Sequence, residues 1–182
     1  MDSMNTECPE CKREEAKISP VIVLSVENQG ILNAIRCVLE IYNREPSLKL
    51  ENKLRDMIHV LPQLASHYRK KEDLFLPCYQ KIGFEEEAEK HRKMDLKIQN
   101  QIHHILNLEK QKSPYEFREE YLNLCKSIVI LAKEENTEFL IQCYHNFTQD
   151  EMDAIGKRIP SYGYTFLSVE PKPEDLISRV VS

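Results

Sequence analysis

Four ionisable residues stand in this sequence where apolar ones are due: Glu27, Glu72, His91 and Glu135. At about 100° per residue each falls inside the apolar stripe of a helical segment. Glu27 lies between Leu24 and Ile31, and Glu72 between Tyr68 and Phe75. His91 is in line with Met94, Ile98 and Ile102, and Glu135 lies between Leu131 and Phe139. Three carboxylates and an imidazole facing one another would be costly, because buried like charges repel and burial disfavours ionisation. The possible remedies are an internal cation, protonation, water or a metal ion. Lys71, at the edge of its stripe, is the best candidate for the internal cation. Carboxylates with imidazole are also the ligand set of non-haem iron, manganese and zinc, and cores of helical bundles commonly house such sites. The same residues therefore read either as a metal centre or as a hydrated or protonated structural layer.

Four helices have to bring these residues together. The first is predicted from Pro20, a good first-turn residue, to about Arg44, where "EPS" stops it. The second follows Ser47, a suitable N-cap, and carries Leu50, Leu54, Met57, Leu61, Leu64, Tyr68 and Phe75. Pro62 and Pro77 interrupt it before Gly83. The third runs from about Glu85 to Gln111. The fourth is capped by "SPYEF", with Ser113 as N-cap and Glu116 three residues on, and continues to about Asn146. A short fifth helix, "TQDEMDAIGKR", is capped by Thr148, and a short extended piece and tail follow. The expectation is an all-α, up-down-up-down four-helix bundle. It would occupy residues 19–168, between a mobile arm at 1–18 and a linker or tail at 169–182. In an antiparallel bundle with a rise of ~1.5 Å per residue, the four ionisable residues fall at one level.

Composition narrows the function classes. The chain has 182 residues, 41% hydrophobic and 30% charged, with only four glycines and no Trp, which suits one helical domain. A net charge of −5, with no basic stripe interleaved with aromatics, argues against nucleic acid. No uninterrupted apolar run approaches the ~20 residues of a membrane span, and no signal peptide is evident. A cytoplasmic protein with reduced thiols is expected. The Cys8–Cys11 pair, "CPEC", is half of a zinc or redox motif and reads as thiols in a flexible tail. Cys37, Cys78, Cys125 and Cys143 read as small hydrophobes within helices.

The stretch "HYRKKEDLFLPCYQKIGF" with "EKH" at 89–91 resembles the second and third helices of hemerythrin-like (HHE cation-binding) proteins. "SPVIVLSVENQGILNAI" is similar to the first helix, and "AKEENTEFLIQCYHNFTQDEMDAI" with "SYGYTFL" to the fourth helix and tail, of a subgroup often found ahead of PAS sensor domains. The likeness covers about residues 19–168. It implies a bundle holding a non-haem, usually di-iron, centre bridged by carboxylates. Carried over, it supports Glu27, His67, Glu72, His91 and Glu135 as metal ligands. By helix spacing, Tyr68, one turn before Glu72, and Asp95, one turn after His91, read as partners of those ligands or as ordinary packing and surface charge. Ideal geometry turns His67 well away from its stripe, so it reaches the site only if the helix bulges. The chain departs from the subgroup at Ser19, Ile22 and Ile130 or Leu131, where histidines are usual, and at Lys71, four residues after His67.

Two functions follow from these readings. The first is a hemerythrin-like protein whose core iron handles or senses oxygen, nitric oxide or redox state and signals through the C-terminal tail. The second is a metal-free bundle serving as a protein interaction or signalling input module. No catalytic triad, P-loop or dinucleotide fingerprint points to a classical enzyme.

Overall fold

In the computed structural model, which describes residues 19–166, every regular element among the described residues is helical. Pro20 opens α1, Pro20–Tyr42, and its face of Leu24, Ile31, Ile35, Val38 and Tyr42 is buried. Ser47 caps α2, Leu48–Val60, by accepting from the Leu50 amide at 3.3 Å. Pro62 then enforces a tight turn over Leu61–Gln63 before α3, Leu64–Lys70. A widened π turn, Lys71–Phe75, joins α3 to α4, Leu76–Lys81. Gly83, with φ 95°, makes the corner to α5, Glu85–Glu109.

Between α5 and α6, Arg118–Glu134, the expected cap takes a different form. Ser113 and Glu116 do pair, the Ser113 amide donating to Glu116 Oε2 at 2.8 Å. They close a separate turn, however, and the helix starts after Phe117, whose fully buried ring anchors it. A second π turn, Glu135–Phe139, leads from α6 into α7, Leu140–Asn146. Thr148 and Glu151 form the predicted capping box of α8, Gln149–Arg158. The chain finishes its described course in a tight turn, Ile159–Tyr162, and a short strap to Phe166. The arm at 1–18 with Cys8 and Cys11, and the linker at 169–182, lie outside the described residues.

α1 packs on α2, α6 and α7, while α5 packs on α2, α4 and α6. The apolar core is divided in two. One cluster holds Ile31, Tyr68, Ile98 and Leu131, and the other Leu24, Phe75, Ala88 and Phe139. Residues between those positions, together with His67 just before Tyr68, form the layer described below. Cys125 and Cys143 pack in these clusters as expected, whereas Cys37 is exposed.

By length and composition α1 could cross a membrane, with a mean hydropathy of 1.2 over its best window. Half of that window is buried inside the bundle, and Glu27 in its middle meets charged partners there. Core packing therefore accounts for its apolarity.

Candidate functional site

The site is built by the two π turns. Pro77 has no N–H to offer the Asp73 carbonyl, and its ring crowds that oxygen, so the preceding turn opens. In α6–α7 the Thr137 hydroxyl donates to the Lys133 carbonyl at 2.9 Å, a back-bond that competes with the regular ladder and bends helices. Both turns sit at the level of the polar residues. Widening the turn before Phe75 by one residue moves the inward place from Glu72 to Lys71. Glu72 is exposed, and the expectation that it points into the core is corrected. The bulge that His67 requires is present, and His67 is wholly buried.

His67 occupies the centre. Its Nδ1 is 2.8 Å from Glu27 Oε2 and its Nε2 3.0 Å from Glu135 Oε2. Only a ring protonated on both nitrogens can donate to both carboxylates. Lys70 Nζ donates to Glu27 Oε1 and, at 2.8 Å, to the Gly163 carbonyl. Lys71 Nζ donates to Glu135 Oε1 and, at 2.7 Å, to Asp95 Oδ1. The Thr165 amide adds a 2.8 Å bond to Glu27 Oε1. Glu27, Glu135, Lys70, Lys71 and His67 are all 0% exposed, which makes this a dry chain of alternating charge. When all six groups are ionised, three carboxylates meet three cations and the layer is neutral without any added ion.

The titration of each group follows from this setting. Burial alone would push the His67 imidazole down, but Glu135 and Glu27 outweigh it and raise its pKa to about 9. Burial opposes ionisation of Glu27 and Glu135 as well, yet His67 with Lys70 or Lys71 holds both below the usual carboxylate range. Burial lowers Lys70 against the pull of Glu27, whereas Lys71, between two carboxylates, is raised in spite of burial. Burial lifts Asp95 to about 7, partly countered by Lys71. His91 is pushed down to about 4 by burial and by Lys71.

The other expected site residues lie close by in lesser roles. His91 is buried with its ring 4.7 Å from that of Phe139, and its Nδ1 has no hydrogen-bond partner. Asp95, expected beside the ligands, is a full member of the layer through Lys71, although its Oδ2 is unpartnered. Tyr68 packs edge-on against His67, with Lys71 Nζ 5.4 Å from its ring centre. Beside the layer Asn28 Nδ2 donates to Asn136 Oδ1 at 3.1 Å, tying α1 to the second π turn. Lys70, Asn28 and Thr165 escaped the sequence reading. For Lys70 the only available signal was Pro77, whose effect on the helix register reaches back through the preceding turn.

In this arrangement the donor set does not fit an iron ion. Both oxygens of Glu27 and Glu135 and both nitrogens of His67 are engaged with one another or with ammonium groups. That leaves His91 Nδ1, Asp95 Oδ2 and, beside the layer, Asn28 Oδ1 as buried atoms without a hydrogen-bond partner. Among the described residues no group of three or more His, Cys, Asp or Glu is placed to hold a metal. Compared with known proteins, the chain matches no protein-family model and no curated protein.

Proposed function

We propose that the chain is an up-down-up-down bundle of the hemerythrin-like kind, cytoplasmic and non-catalytic, that works as an interaction or signalling input module. In this reading its own lysines take the place of the metal. One observation carries it: Lys70 and Lys71 reach the carboxylate oxygens from inside, while His67 spans Glu27 and Glu135. A buried layer of this kind adds little net stability compared with apolar packing, but it fixes how helices pair, because each charge is costly away from its partner. An input module benefits from such a specific core.

A second reading, iron that senses oxygen, nitric oxide or redox state, is favoured by unpartnered ligand atoms at the layer, His91 Nδ1 and Asp95 Oδ2 among them. It requires Lys71 to leave Glu135 so that the carboxylates come free. Metal content and visible spectra of protein purified without chelator, anaerobically and in air, separate the two. The ion-paired reading expects folded, colourless protein with iron far below stoichiometry. Near-stoichiometric iron with an oxo-bridge or ligand-to-metal band overturns it in favour of the sensor.

A further inference from the structure

The strap from Ile159 to Phe166 is tied to the helices around the buried layer, and to the layer itself, by a series of hydrogen bonds. Ser66 Oγ donates to the Tyr162 carbonyl at 2.5 Å, and Tyr162 OH donates to Asp73 Oδ2 at 3.0 Å. Lys70 bonds the Gly163 carbonyl, and the Thr165 amide bonds Glu27, so two members of the charge layer complete their hydrogen bonding on strap backbone. Phe166 ends the strap in a left-handed conformation, φ 56°, which a bulky residue rarely adopts unless its surroundings impose it. It packs against the cluster that contains Ile31, Ile35, Leu61 and Leu64. Gly30 permits this: a Cβ there would lie 3.3 Å from that of Phe166.

We propose that residues 162–166 form a latch, which docks only when Lys70 and Glu27 are paired and which opens separately from the bundle. The inference rests on the ion-paired reading and deepens it by naming the route from the buried layer to the surface. Residues 163–166 form no regular element, and the rings of Tyr162, Tyr164 and Phe166 pack only partly buried at the edges of the two apolar clusters, whereas the helices beneath are internally hydrogen-bonded and supply the buried centres of those clusters. The strap therefore belongs to the low-stability end of the molecule, where local opening is expected. Strap and layer share hydrogen bonds, so the coupling runs both ways: what disturbs Lys70 releases the strap, and what releases the strap alters the surroundings of Glu27 and His67.

Hydrogen exchange of the full chain, with its metal content determined on the same sample, tests this. The Thr165 amide is expected to be protected, yet to exchange well ahead of core amides such as Ile98 and Ile128. Lys70→Met should speed Thr165 by roughly ten- to a hundred-fold, the effect of one lost charge-assisted hydrogen bond. If that variant does not fold, Gly30→Val provides the test from the other side. It should strengthen α1 by removing a helix glycine while pushing Phe166 away, so Thr165 speeds up, core amides stay protected and the His67 ring signals shift. Thr165 exchanging in step with the core in every variant, or lacking protection in the parent, overturns the latch whatever the metal content. Stoichiometric iron overturns the ion-paired reading whatever the strap does.

Discussion

A buried charge is worth what its partners make it worth, which gives each side chain of the layer its own expected mutational signature. Lys71 holds two carboxylates, so Lys71→Met leaves Asp95 without its cation and Glu135 with His67 alone. The expected loss is about 3–5 kcal/mol in denaturant unfolding, the usual result of stripping one partner from a buried pair. Glu135→Gln should cost a similar amount, because it leaves Lys71 and His67 short of a counter-charge. Glu72→Gln tests the register directly. As an exposed residue Glu72 should tolerate it within about 0.5 kcal/mol, and a loss of several kcal/mol would place Glu72 back in the core. In the metal reading both glutamates are ligands and the two changes would behave alike, so the contrast between them discriminates.

At the scale of the elements, the sequence announced most of the fold and half of the site. Glu27 and His91 were legible because their helices keep a regular period on both sides of them, and Glu135 because the regular period of α6 runs up to it before the turn widens, so an ionisable residue in the stripe had to point inward. Glu72 was misplaced because the period breaks next to it: counting forward from Leu64 at a constant angle takes no account of the extra residue in the Lys71–Phe75 turn. The break itself was written in Pro77, but a proline inside a helix can kink, end or widen it, and only packing decides which. Pro77→Ala therefore has an expected outcome opposite to propensity. Replacing a helix-interior proline ordinarily gains up to ~3 kcal/mol. Here the regular helix would turn Lys71 off its carboxylates, so thermal stability should hold level or fall. A clear rise in melting temperature would show that the π turn does not depend on the proline and that Lys71 is held by packing alone.

For the whole molecule, the layer sets how stability depends on pH, and the groups act in separable windows. Glu27 and Glu135, depressed from 4.5, contribute stability that is present above that value and lost as pH falls through their lower folded values. His91, lowered from 6.5 to about 4, adds stability that is present above 6.5 and lost as pH falls through 4. Asp95 has the opposite sign. Raised from 3.8 to about 7, it contributes stability that is full below 3.8 and lost as pH climbs through 7. Between roughly pH 4 and 6.5, His91 and Asp95 thus largely cancel. Above that range His67 takes over. Raised from 6.5 to about 9, it contributes stability that is full below 6.5 and disappears as pH rises through 9. Lys70, lowered from 10.5, has the reverse sign only on approach to that value. Thermal midpoints measured every half unit should therefore hold nearly level from about pH 5 to 6.5 and then decline towards pH 9. The same scan on His67→Gln should start lower and lack most of the alkaline decline, since a neutral amide has no proton to lose. A decline that survives that substitution unchanged would place the lost proton elsewhere and remove the imidazolium from the centre of the layer.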